Sequence, residues 1–153
     1  MARARRRRRK TKRAAGRRRR AVVPPPPRAE TLLLTLAKEL AGVPLDGALR
    51  KLAAAFAPGA ELPGEVFGAW IKSRSDKTAS LALGWAREQL RLSLEETIVH
   101  GPRETRRALA LGPDTLAWLL LAACEAIAYE PPSAVADRVR AVLELSGHAS
   151  AGG

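Results

Sequence analysis

The sequence contains very few of the residues from which metal, redox and nucleophilic sites are usually built. One cysteine and two histidines in 153 residues exclude an intramolecular disulfide and argue against a zinc site. No Ser/His/Asp or Cys/His arrangement, glycine-rich phosphate loop or acidic pair suited to general acid–base catalysis is recognisable. The sequence therefore predicts a protein that is not an enzyme and that binds neither a metal nor a cofactor.

Aromatic residues make up only 4% of the chain, and Ala and Leu dominate its apolar residues, which favours helix over strand. The longest apolar stretch, residues 116–127, includes Glu125 and is much shorter than the roughly 20 residues of a membrane span. No apolar segment typical of a secretory signal follows the basic N-terminus. The lone Cys124 lies in an apolar run, where we expect a buried, inert thiol. These features predict a cytoplasmic protein.

The positive charges are concentrated at one end of the chain. Residues 1–28 contain 14 of the 27 Lys and Arg residues and no Asp or Glu, whereas residues 29–153 contain all 15 acidic residues. A segment with many like charges and little to bury is expected to be disordered. We therefore predict a disordered Arg/Pro-rich tail over residues 1–28, one helical domain over 29–147 and a disordered C-terminus over 148–153.

The basic tail has three interpretations. As a nucleic-acid arm it would bind DNA phosphates without sequence preference and with a steep dependence on salt. Its charge would also suit a membrane surface. Alternatively, strings of Arg and Pro arise when GC-rich codons are read in the wrong frame. The basic residues assigned to the arm are Arg5, Arg6, Arg7, Arg8, Arg9, Lys10, Lys12, Arg13, Arg17, Arg18, Arg19 and Arg20.

Three short helices are predicted between the prolines of the tail and residue 76. The first ends at residues 42–44, the second begins with a cap at Asp46, and the third begins near Pro63. Their apolar faces carry, in order, Leu32, Leu33, Leu36 and Leu40; Leu49, Leu52, Ala53 and Phe56; and Val66, Phe67, Trp70 and Ile71.

Residues 77–100 are predicted to form one long helix with two apolar stripes. On a helix of 3.6 residues per turn, the first stripe is Leu81, Trp85, Leu92 and Val99, and the second, on roughly the opposite side, is Leu83, Leu90, Leu94 and Ile98. A helix that is apolar on two sides is expected to lie between two layers of other helices. His100 is expected at its C-terminal end, where a cation is favourable.

Two further helices are predicted after residue 112. Gly112-Pro113-Asp114 is typical of a helix start, and residues 116–129 are apolar almost all round. Such a helix is expected to pack on its own core with one side and on a second subunit with the other. The last helix opens at residues 131–133 and stops at Gly147. The predicted fold class is all-α, a bundle of about six helices.

This order of helices resembles the C-terminal regulatory domain of the tetracycline-repressor (TetR) family. The likeness covers about residues 29–147 and rests on the Leu-rich first helix, the aromatic-bearing helix that ends in residues 70–76, the long two-sided helix and the apolar penultimate helix. The family's N-terminal helix-turn-helix has no counterpart, because the Arg/Pro tail stands in its place. The reading head for specific DNA sequences is therefore expected to be absent from this chain.

The resemblance implies a small apolar effector among the central helices and a homodimer formed through the last two helices. The implied pocket residues are Phe67, Trp70, Trp85 and Trp118, and the implied dimer seam is Leu116, Leu120, Ile127, Val135, Val139 and Val142. A plain core position is the alternative for each tryptophan. Glu125, the one charge in the apolar helix, has three interpretations: it pairs with an arginine across the seam, faces the pocket or lies at a solvated edge.

Three functions are compatible with these patterns. The first is a regulator-like protein that binds an effector and dimerises as the TetR C-terminal domain does. The alternative is a non-specific nucleic-acid-binding protein that acts through its tail and uses the helical domain only to oligomerise. The third is a protein–protein module that pairs with a full-length relative through its dimer helices.

Overall fold

A computed structural model describes residues 27–101 and 111–147, and no β-strand lies within these two ranges. The described residues form six α-helices: α1 (Arg28–Leu40), α2 (Leu45–Ala55), α3 (Glu61–Ser73), α4 (Lys77–His100), α5 (Pro113–Ala126) and α6 (Val135–Leu145). Two short 3₁₀ turns, Ile127–Tyr129 and Pro132–Ala134, join α5 to α6. The predicted all-α fold is confirmed. The segments predicted to be disordered lie outside the described residues except for Pro27 and Arg28, which instead begin α1: Arg28 is its first residue and the carbonyl of Pro27 accepts from the N–H of Thr31.

The ends of the helices follow from local chemistry. The backbone N–H of Ala79 donates to Asp76 Oδ1 over 3.0 Å, so Asp76 caps α4. Gly42 and Gly147 follow α1 and α6 with φ of 74° and 80°, in the left-handed region that favours glycine. Asp46 does not cap α2, because the helix begins after Pro44 and Asp46 lies inside its first turn. There its charge complements the positive end of the helix.

α4 is the centre of the bundle and contacts α1, α2, α3 and α5. Its second apolar stripe, predicted from Leu83, Leu90, Leu94 and Ile98, is buried together with Ala86. Leucines of the first and fifth helices belong to the same core, to which α2 and α6 also contribute; they are Leu33, Leu36, Leu40, Leu116, Leu120 and Leu121. The central position of the long helix is therefore confirmed for one of its two sides.

The first apolar stripe of α4 is exposed. Leu81, Trp85, Leu92 and Val99 all keep more than two fifths of their surface accessible. Within residues 27–101 and 111–147 no second helical layer covers them, so the prediction of a helix sandwiched on both sides is wrong for this part of the chain. Both stripes have similar composition, and the one that faces α1 and α5 is the one that is buried.

Most of the predicted dimer seam lies in the core of the single chain. Leu116, Leu120, Ile127 and Val142 are buried, because α5 packs on α4 and α2 while α6 packs on α2 and α5. Val135 and Val139 are only partly buried. The four buried side chains are therefore unavailable to a second subunit in this conformation, which corrects their assignment to the seam.

None of the helices in the described ranges is long and apolar enough to cross a membrane.

Candidate functional site

An open cleft of about 550 Å³ lies between α3, α4 and α5, beside the 3₁₀ turn at 127–129. One of its walls is α3, which contacts α1 and α4 but buries only Leu62, so that its other large apolar side chains remain accessible. The volume is in the range of sites that hold drug-sized ligands. The lining residues are Leu33, Phe56, Pro63, Val66, Phe67, Trp70, Leu83, Arg87, Ala122, Glu125, Ala126, Ala128 and Tyr129.

The wall that α3 contributes is aromatic. Phe67 and Trp70 are three residues apart and therefore lie on the same side of the helix. Their ring centroids are 6.2 Å apart and their planes differ by 26°, and both rings are about half exposed. The guanidinium of Arg74 lies over the Trp70 ring, 5.5 Å from its centroid, and this cation–π contact restrains the ring. The two rings therefore form an aromatic, partly exposed wall of the cleft.

The opposite wall carries an ion pair. Arg87 of α4 donates from Nε to Glu125 Oε1 and from Nη2 to Oε2, and both distances are 2.7 Å. The side chains are 36% and 25% exposed, so the pair is partly shielded from water. The hydrogen bond and charge of Glu125 raise the pKa of Arg87 above its ordinary value, although burial acts in the other direction. Of the described residues that line the cleft, only these two carry charge.

The ion pair decides between the interpretations of Glu125. The carboxylate faces the cleft, as one of them proposed, and its arginine partner belongs to the same chain rather than to a second subunit. Arg87 itself was not predicted. Glu125 is the one charge in the apolar run 116–129, and a partly buried charge of this kind needs a partner. Several arginines satisfy that requirement in sequence, and only the packing of α4 on α5 selects Arg87.

The four predicted pocket residues divide into two pairs. Phe67 and Trp70 line the cleft, whereas Trp85 and Trp118 are exposed and are not among the lining residues. Trp85 belongs to the exposed stripe of α4. Trp118 follows the buried Leu116 and Ala117, and its ring faces away from the core that they enter. Their assignment to the pocket is corrected, because a tryptophan in an apolar helix does not by itself tell which way the ring faces.

The one cysteine and the one described histidine are not among the residues that line the cleft. Cys124 is fully buried, as predicted, and burial raises the pKa of its thiol to about 12. His100 lies in the last turn of α4 with Nδ1 2.8 Å from the carbonyl oxygen of Glu96, at the helix end where it was predicted. No group of three or more potential metal ligands occurs in the described part of the chain.

Comparison with known proteins adds no relative: no family model, curated protein or solved structure matches the chain.

Proposed function

We propose that this chain is an effector-binding and dimerisation domain of the kind found in TetR-type transcriptional regulators, and that a small apolar molecule binds between α3, α4 and α5. The observation that carries the proposal is the open cleft of about 550 Å³, which has an aromatic wall on one side and one ion pair on the other. This combination of a mainly apolar lining with few polar groups is typical of small-molecule sites.

The apolar lining supplies the affinity in this proposal. Each methylene group that moves from water into the cleft contributes about 0.8 kcal/mol, which corresponds to about a fourfold gain in affinity. The rings of Phe67 and Trp70 offer an aromatic contact surface whose two members already pack on each other. The ion pair supplies orientation, since it is the one charged feature among the described lining residues.

A response to the effector follows from how little of α3 is buried, although the helix contacts α1 and α4. This helix buries only Leu62 fully, whereas α1 and α5 each bury five residues or more. A ligand that contacts α3 on one side and α4 and α5 on the other would favour one position of α3 over others, which is a shift in population. In a regulator with two subunits, such a shift in the position of α3 would change the relative orientation of the two subunits.

The proposed homodimer uses the outer surfaces of α5 and α6. Trp118 and Leu145 are each 51% exposed, and Val135 and Val139 are only partly buried. Sedimentation equilibrium tests this contact: Trp118→Glu is expected to shift the protein to monomer, whereas Leu92→Glu, on the exposed stripe of α4, is expected to leave it dimeric. The reverse result would place the contact on α4, and a monomeric parent protein would remove dimerisation from the proposal.

Binding in the cleft is tested with N-phenyl-1-naphthylamine, a neutral apolar dye that fluoresces when it leaves water. Ala122 lines the cleft, so Ala122→Trp is expected to fill it and to weaken dye binding by about tenfold or more. Ala54, on the exposed side of α2, gives the matched control Ala54→Trp, which is expected to bind the dye like the parent protein. Equal binding by both variants would contradict the proposed site, provided that both melt at similar temperatures.

The alternative function is non-specific binding of nucleic acid through residues 1–28. The observation that favours it is the concentration of 14 basic residues and no acidic residue in that segment. Because each phosphate contact releases counterions, the logarithm of the binding constant is expected to fall steeply with the logarithm of salt concentration. Deletion of residues 1–28 is expected to abolish binding to duplexes of any sequence. Retention of DNA binding after the deletion, or a preference for one sequence, would contradict this alternative.

A further inference from the structure

The Arg87–Glu125 pair is neutral as a unit but still has hydrogen-bonding capacity. The two bonds of 2.7 Å use two of the five N–H groups of Arg87 and one acceptor position on each carboxylate oxygen of Glu125. Within residues 27–101 and 111–147 neither head group makes another hydrogen bond. Free donors and free acceptors therefore lie side by side at the wall of an otherwise apolar cleft.

A charged ligand head group finds no unpaired charge of opposite sign at this wall. A carboxylate that approaches Arg87 also approaches the carboxylate of Glu125, and the charge of Glu88 acts on Arg87 as well. A cationic head group that approaches Glu125 meets the guanidinium in the same way. On the side that contacts the ion pair, either head group would lose water without gaining an ion pair in return, which lowers its affinity.

A neutral head group that both donates and accepts matches the pair. A hydroxyl or a primary amide accepts from a free N–H of Arg87 and donates to an oxygen of Glu125, and the ion pair stays intact. We propose that the cleft selects neutral amphipathic molecules, each with an apolar body and one hydroxyl or amide head, over charged molecules with the same body. This inference rests on the proposed function, because it names the class of effector that the cleft would bind.

The test uses three competitors that share a decyl chain: 1-decanol, decanoate and decyltrimethylammonium. Each displaces N-phenyl-1-naphthylamine from the full chain at pH 8 and constant ionic strength, below its solubility limit or micelle concentration. Decanol is expected to displace the dye at about a tenfold lower concentration than either ion. Decanol also partitions more readily than the ions into any apolar site, so this result alone does not identify the ion pair.

Charge variants separate the ion pair from simple partition. Glu125→Gln leaves Arg87 unpaired and is expected to raise the affinity for decanoate relative to decanol by about tenfold. Arg87→Gln leaves Glu125 unpaired and is expected to raise the affinity for decyltrimethylammonium relative to decanol by about tenfold. The exchanged pair R87E/E125R retains both charges and is expected to keep the preference for decanol, which provides a control if either single variant unfolds.

The outcomes distinguish this inference from the proposed function. The inference would be overturned if the affinities for decanoate and decyltrimethylammonium relative to decanol were the same in the parent protein and in both single variants. It would also be overturned if the parent protein preferred decanoate. Either result would still leave a binding cleft. Failure of the dye and all three decyl compounds to bind the parent protein would overturn the proposed function and the inference with it. The inference is supported if the single variants differ from the parent protein in their affinities for the charged compounds relative to decanol, while the exchanged pair R87E/E125R does not.

Discussion

Arg87 and Glu125 are 38 positions apart in the sequence, yet their side chains share two hydrogen bonds of 2.7 Å. The pair joins α4 to α5 at the wall of the cleft and therefore has two roles. It adds two hydrogen bonds to the buried core contact between α4 and α5, and it presents the charged groups that a ligand meets there. The first role can be measured without any ligand.

The pair is expected to contribute more to stability than an exposed pair. A double-mutant cycle with Arg87→Met and Glu125→Met is expected to give a coupling of about 1–2 kcal/mol, because the bonds are bidentate and partly shielded. The control is Arg140–Asp137 on α6, 3.3 Å apart with side chains 58% and 70% exposed. Its coupling is expected to be below about 0.5 kcal/mol. Urea unfolding measures both cycles, and equal couplings would contradict the stabilising role of the Arg87–Glu125 pair.

Leu90 and Leu92 test which side of α4 belongs to the core. Leu90 is fully buried, whereas Leu92 is 42% exposed on the other stripe. Leu90→Ala is expected to destabilise the protein by about 2–5 kcal/mol, and Leu92→Ala by no more than about 0.5 kcal/mol. Chemical denaturation at several protein concentrations gives both values. A large, concentration-dependent effect of Leu92→Ala would show that a second copy covers this stripe.

The capping of α4 is tested with two aspartates that occupy different positions at helix starts. Asp76 accepts a hydrogen bond from Ala79, so Asp76→Ala is expected to cost about 1 kcal/mol. Asp46 makes no capping bond, and Asp46→Ala is expected to cost only a few tenths of a kcal/mol through its interaction with the helix dipole. Thermal melts of the two variants check this order. A larger loss for Asp46→Ala would contradict the assignment of the cap.

The thiol of Cys124 is expected to be inert in the folded protein. Burial raises its pKa to about 12, so very little thiolate is present at pH 8. Because the folded-state pKa is above that of the unfolded chain, this group favours folding less as the pH rises through the range between the two values. Reaction with a disulfide reagent at pH 8 is expected to be slow and to accelerate in urea. Rapid stoichiometric reaction of the native protein would contradict the burial.

The boundaries of the helices were largely predictable because they depend on neighbouring residues. Gly42, Pro113 and Gly147 lie at the helix ends where the sequence places them, and the buried stripe of α4 was recognisable as an apolar face. The choice between the two stripes was not predictable, since Trp85 and Leu92 are seven residues apart, as Leu83 and Leu90 are, and both stripes are apolar. Only the packing of α1 and α5 on α4 makes that choice.

The candidate site was half predictable for the same reason. Phe67 and Trp70 are close in sequence and share one face of α3, so local periodicity placed them together. Arg87 reaches the site through contact between helices that are distant in sequence, and its own surroundings on α4 do not identify it. Trp85 and Trp118 have the residue type expected of a pocket wall but the wrong orientation.

Intrinsic fluorescence tests the central claim most directly, because Trp70 lines the cleft and Trp118 does not. One variant keeps Trp70 alone, with Trp85→Phe and Trp118→Phe; a matched variant keeps Trp118 alone, with Trp70→Phe and Trp85→Phe. On titration with 1-decanol, the Trp70 protein is expected to show a saturable change in emission, with a midpoint that agrees with displacement of the dye. The Trp118 protein is expected to show no such change. A saturable response from Trp118 alone, or a linear and unsaturable response from Trp70, would contradict a ligand site between α3, α4 and α5.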